Sequence, residues 1–176
     1  IKGTLGKLYA KADRIDLGKE IARLDKIDLS DTAITLLMND TTTNKDTTST
    51  AVNWKLMLDQ IDLDRVAFAM QMPGDSLRLS TYIDKAGLTD GIVDLGSARY
   101  SASQFLLSGS SLSYDGSYSD PAPGFDPAHI ALNDVNIRID SLLYGGRDIS
   151  ARIKKFSAND RSGLTLSSLT GDISSD

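Results

Sequence analysis

The sequence predicts an all-β chain: an elongated, curved, mostly antiparallel sheet. Three observations lead there. Residues 54–72 read WKLMLDQIDLDRVAFAMQM, in which Trp54, Leu56 and Leu58 alternate with Lys55 and Met57, the period of a strand with one buried face. The alternation then stumbles, stepping three residues from Leu58 to Ile61 and again from Leu63 to Val66. A three-residue step throws a strand's apolar set onto the wrong face unless the backbone turns or bulges there. The third observation is that Glu20 is the single Glu among 24 acidic residues. Glu favours exposed helix faces, whereas Asp bonds nearby backbone and suits turns.

The stumble recurs along the chain. Asp13-Arg-Ile15-Asp16-Leu17, Asp25-Lys-Ile27-Asp28-Leu29 and Asp59-Gln-Ile61-Asp62-Leu63 share D-x-I-D-L, with looser copies at Ile92-Val-Asp94-Leu95 and Asp134-Val-Asn136-Ile137. Leu24 to Ile27, Ile139 to Leu142 and Ile153 to Phe156 are further three-residue steps. Each is expected to be a corner that returns the next apolar pair to the same side. The copies are irregularly spaced, so they form loose repeats with insertions, not a strict-period solenoid.

Strands are expected near 4–12, 21–29, 32–38, 52–63, 65–72, 77–83, 92–100, 103–114, 130–144, 147–158 and 163–174. About ten of them at ~4.8 Å spacing span on the order of 50 Å. Segment 15–27 also has a helix-compatible rhythm, but the flanking D-x-I-D-L copies favour strand. Gly3-Thr-Leu-Gly6-Lys7 lacks Walker A spacing and reads as a turn between strands. Polar 39–50 (NDTTTNKDTTST) and Pro/Gly-rich 115–128 (DGSYSDPAPGFDPA) read as mobile loops, and 160–164 (DRSGL) as a hairpin connection. Short breaks between the strands leave little room for parallel crossovers.

Composition narrows the chemistry. The chain has 176 residues, no Cys, one His and a net charge of −5, which removes thiolate chemistry and argues against a nucleic-acid partner. No apolar run is long enough for a membrane-spanning helix. The start at Ile1, not Met, suggests a single segment, 1–176, of a longer repetitive protein. Ser-His-Asp catalysis depends on His129 alone, and a loop histidine with no evident partner reads as a surface residue. Asp115, Asp120 and Asp126 share a loop but lack EF-hand spacing, so a solvated loop is the simpler reading. No enzyme activity, cofactor or metal is expected.

The strongest remaining feature is the apolar stripe Trp54, Leu56, Leu58, Ile61, Leu63, Val66, Phe68, Met70 and Met72. Taken alone it is either a core closed by a second layer, the default for such a stripe, or the lining of a groove. An extracellular β-solenoid adhesin or glycan-interacting protein is the alternative class, with Tyr114, Tyr118 and Phe125 its only aromatic candidates.

Four passages, LDKIDLSDTAITLLMND, LMLDQIDLDRVAFAMQMPGD, NDVNIRIDSLLYGG and IKKFSANDRSGLTLSSLTGDIS, resemble repeat units of the AsmA-like superfamily, most closely its TamB-like branch (translocation and assembly module, inner-membrane component) in the Bacteroidetes style. The likeness runs through nearly the whole chain and rests on texture and repeat. It implies a β-taco, an open trough with an apolar lining, and makes the stripe a lipid groove. It further implies a periplasmic location, an inner-membrane anchor and an outer-membrane barrel partner. The implied role is phospholipid transport between the two membranes, outer-membrane protein assembly, or both. Acyl chains or outer-membrane protein strands would be what the groove meets.

Overall fold

The computed structural model describes residues 1–38, 53–72, 74, 76–117, 119–146 and 148–175. These form one nine-stranded sheet, with no α-helix among them. Strand β1 is Lys2–Thr4, β2 Lys7–Asp16, β3 Ile21–Leu37, β4 Lys55–Met72, β5 Leu77–Asp94, β6 Arg99–Asp115, β7 His129–Gly145, β8 Asp148–Asp160 and β9 Thr165–Ser174. They lie side by side in chain order from β3 to β9, with β1 and β2 end to end along the outer side of β3. Substantial packing is confined to hydrogen-bonded neighbours. The sheet is therefore single-layered and does not close.

The strands are longer and fewer than the sequence suggested, because the corners lie inside them. The expected stretches 21–29 and 32–38 are one strand, as are 52–63 and 65–72. The expected strand 92–100 straddles a turn at 95–98, where Ala98 has φ 50° and Asp94 accepts the Ser97 N–H at 3.0 Å. Residues 84–91 belong to β5, although Ala86 and Gly87 hide the alternation there. The strands occupy eight adjacent positions, a width of ~38 Å at ~4.8 Å each, instead of the expected ~50 Å. Gly3–Lys7 is not a turn between strands: β1 and β2 both run along β3, and the line breaks at Leu5–Gly6. There the Gly6 N–H donates to Thr32 Oγ1 at 3.2 Å, and a Cβ on Gly6 would strike the carbonyl oxygens of Ser30 and Asp31. The hairpin at 160–164 is as expected, with Gly163 at φ 90° and the Ser162 N–H on Asp160.

All neighbouring pairs are antiparallel except β3 and β4. The polar segment read as the 39–50 loop joins these two; it lies outside the described residues. The parallel pairing brings two D-x-I-D-L copies into register: Ile27 pairs with Ile61, Asp28 with Asp62 and Leu29 with Leu63. The Asp13 copy does not align with them, because β2 slips twice against β3 between Lys11 and Arg14.

The corners are the Asp-x steps themselves, and I-D-L is the straight span that follows. Along one transverse line the pairing skips Asp31, Arg65 and Asp84, then passes Gly109 and Asp134. Four of those five residues have positive φ, between 50° and 59°. A second line skips Asp25, Asp59 and Asp90 and reaches Ser141, with positive φ at Asp90 and Ser141. The stumble at Asp64–Arg65 is thus a left-handed residue in β4 itself, whereas at Asp59–Gln60 the left-handed residue is the neighbour's Asp90. Leaving the extended region costs a non-glycine residue up to a few kcal/mol, and Asp tolerates it better than most.

Candidate apolar binding face

Residues paired across a ladder share a face, so the register identifies what lies on each side. One row of the straight span runs Ile27, Ile61, Leu88, Phe105, Ile139 and Ile153 across six strands. The adjacent row runs Leu29, Leu63, Ala86, Leu107, Ile137 and Phe156. The corners keep this face apolar: a Cβ built on Gly91 would meet Leu88 Cδ2 at 2.6 Å and Leu58 Cβ at 3.3 Å. Leu88, Gly91 and Leu58 therefore sit on one side although a three-residue step separates the first two.

The other face is polar where β3 and β4 meet. Lys26 Nζ lies 3.0 Å from Asp28 and 3.7 Å from Asp62, and Arg23 Nη2 donates to Asp59 at 3.2 Å. At the corner line Arg65 Nε donates to Asp31 Oδ1 at 2.7 Å, and Arg65 also pairs with Asp64. The Arg65 hydrogen bond, with the guanidinium charge, holds the Asp31 carboxyl below the usual carboxylate range. The middle Asp of each aligned I-D-L copy points to this side, which explains why the motif alternates apolar, acidic, apolar.

All nine stripe residues are described, and from Leu56 to Met72 their ladder partners put them on the apolar face. Leu58 and Val66, at the corner lines, are buried. Trp54, Leu56, Ile61, Leu63, Phe68, Met70 and Met72 are half-buried. Among the described residues no second layer covers them. The stripe is one strand's share of a face that spans the sheet, and its β5, β6 and β7 members were missed. Phe105 and Ile139 show local alternation and Leu88 does not; only the register reveals that the three form one row.

His129 is not a surface residue. It is 4% exposed at the start of β7, with Nδ1 3.1 Å from Asp115 Oδ1 and Nε2 3.4 Å from Ser119 Oγ. The arrangement has the order of a Ser-His-Asp relay, but acyl transfer also needs donors aimed at the developing oxyanion. Here the Ser119 N–H already donates to Ser117 Oγ at 3.1 Å. The cluster works as a clasp that joins the two ends of loop 116–128, where Asp115 and His129 are ladder partners. Within the loop Asp126 accepts the N–H groups of Ala122 and Ala128, which lower its pKa. Of the three aromatic candidates, Tyr114 pairs with Ile130 on the apolar face, and Phe125 lines a hollow together with Ile130. Tyr118 lies outside the described residues.

A scan against models of known protein families finds no match to this chain, and a search of curated proteins finds no relative.

Proposed function

We propose that this chain is a non-enzymatic segment of a TamB-like member of the AsmA-like superfamily, and that its apolar face carries phospholipid acyl chains between the inner and outer membranes. The observation that carries the reading is the uninterrupted apolar rows on one side of a single-layered, unclosed sheet. Each CH₂ in water costs roughly 0.8 kcal/mol, so a sixteen-carbon chain crossing the periplasm exposed would cost on the order of 13 kcal/mol. An apolar face removes much of that cost while headgroups stay wet at its margin. No covalent step is required. In this reading the full-length protein is anchored in the inner membrane, stands in the periplasm and docks on an outer-membrane barrel.

The trough shape belongs to the same proposal, and two observations support it. The buried residues Thr32, Val66, Ser110, Val135 and Ala158 follow one corner line, and Leu58, Ala102 and Ala151 the other. Most are small, as side chains must be where a sheet bends toward them. The β3–β4 connection gives independent support. Fifteen residue steps separate Met38 from Asn53, a reach of ~54 Å at most. Met38 pairs beside Gln71, and a straight strand covers the eighteen steps from there back to Asn53 in ~59 Å. The two lengths are close, and a bend in the sheet would shorten the span that the connection covers.

A second reading is edge pairing with outer-membrane protein strands, which would draw on the backbone groups of an unpaired strand edge and not on the apolar face. The test is photo-crosslinking in living cells, with a light-activated residue at Phe68 of the full-length protein and a control at Asp62 on the polar face. Phospholipid adducts at Phe68 and none at Asp62 are expected. Crosslinks from Phe68 to the protein's own residues alone would contradict the conduit and leave edge pairing ahead.

A further inference from the structure

Loop 116–128 is more than a connection. Its Phe125 reaches the apolar face and, with Ile130, Leu132, Phe156, Leu164 and Leu166, borders a half-open cavity of about 220 Å³. Ile130 and Leu132 continue rows that run from β3: Leu36, Met70, Leu79, Tyr114, Ile130, and Ile34, Phe68, Thr81, Leu112, Leu132. The cavity thus lies on the candidate face, at the end of the sheet where β4 finishes. Its single ionisable lining group, Asp160, accepts the N–H groups of Ser162 and Ala131, and hydrogen bonds from Ser162 hold its carboxyl below the usual range. That carboxylate is already satisfied and offers little to a polar ligand. Dry apolar cavities near 150 Å³ already take benzene, so this space suits a somewhat larger apolar group.

Phe125 is 55% exposed, yet its position is set from both sides. Asp126 ties down Ala122 and Ala128, the His129–Asp115 clasp fixes the loop's ends, and Arg161 donates to the His129 carbonyl at 3.0 Å. A side chain held over an apolar hollow loses little entropy when the hollow fills. We propose that this cavity is a terminal subsite for the methyl end of one alkyl chain, with Phe125 as the stop that limits how far the chain advances. The proposal rests on the reading of the apolar face as a lipid path.

The test uses intrinsic fluorescence, because Trp54 is the chain's one tryptophan and immediately precedes β4, whose alternate residues from Leu56 lie on the apolar face. The full chain is mixed with phosphatidylcholine micelles brominated either near the chain terminus or near the headgroup. The Phe125→Trp variant in a Trp54→Phe background is compared with the unchanged chain. Terminal bromines are expected to quench the tryptophan at position 125 at least twofold more than headgroup-proximal bromines, and Ile130→Asp to remove that difference. Quenching of Trp54 with none at position 125 would overturn the subsite and leave the lipid path intact. Equal quenching at 125 by both lipids would overturn the terminal assignment. No quenching at either position would overturn the lipid path itself.

Discussion

The two sides of this sheet handle their corners differently. From β3 to β5 the ladders carry no register shift, and the corner residues of β3 and β4 grip one another: Arg65 bridges to Asp31 and Asp64, and Arg23 to Asp59. From β7 to β9 the register slips repeatedly, and the corner contacts are weaker, such as Asn159 Nδ2 donating to Asp134 Oδ2 at 3.2 Å. Burial does not follow this difference: Leu58 and Val66 are buried on the regular side, and Val135, Ala151 and Ala158 are buried on the slipping side. Leu169 and Ile173, about half exposed, lie on the outermost strand β9. A single-layered sheet has no second layer to cover its side chains, and on both sides the corner lines supply the buried positions.

The comparison is broken most directly by placing a charge on each side. Leu58→Asp puts a carboxylate at a buried corner position against Gly91 and is expected to cost on the order of 4 kcal/mol, enough to abolish a cooperative urea transition. Leu169→Asp, at 45% exposure, is expected to cost less than about 1 kcal/mol in the same measurement. Equal costs would mean that a corner-line position is no more sensitive to charge than one on the outermost strand.

A smaller effect separates corner from span within β5. Gly91→Ala drives a methyl into Leu88 and Leu58 and is expected to cost about 1–3 kcal/mol. At Gly87, in the straight span, a Cβ meets nothing closer than 3.8 Å. Gly87→Ala should be neutral or stabilising by a few tenths of a kcal/mol, since alanine loses less backbone entropy in a strand. Thermal melts of the two variants decide the matter.

The smallest effect is electrostatic. The Arg65 hydrogen bond depresses the folded-state pKa of Asp31 below its unfolded value, so this contribution is present above the unfolded pKa near ~4 and is lost as pH falls through the folded value. Asp31 is solvent-exposed, so the change is slight. Asp31→Asn should remove that part of the acid sensitivity, seen as a flatter fall in urea midpoint below about pH 4, while leaving the midpoint at pH 7 nearly unchanged.

Much of this was legible in the sequence, and the reasons for the misses are local. Alternation with three-residue steps gave the strands, their single apolar face and the existence of corners, since Ile61 and Leu63 must rejoin Leu58 on one side. It did not show that β3 and β4 each pass through two corners unbroken, because a corner and a loop both appear as polar punctuation. The parallel β3–β4 pair is not legible there: short breaks between strands argue for mostly antiparallel pairing, and the polar segment 39–50 reads only as a loop. His129 looked solitary because its partners Asp115 and Ser119 lie fourteen and ten residues away, and only the return of the loop brings them together. The small corner residues Ser110 and Ala102 carry no hydrophobic signal, although they are among the most buried of the described residues.

The central claim is that the apolar face stands open. The chain contains no cysteine, so each introduced thiol reports on its own position. Phe105 lies within the apolar row that runs from Ile27 to Ile153, and its neighbour Leu106 points to the opposite face beside Arg138. The modification rates of Phe105→Cys and Leu106→Cys by a small maleimide test the claim directly. An open face predicts rates within about tenfold of each other, and protection of Phe105→Cys alone when phospholipid is added. A sealed core predicts that Phe105→Cys reacts only through global opening, at least ~1,000-fold slower than Leu106→Cys with or without lipid, and that result would contradict the account.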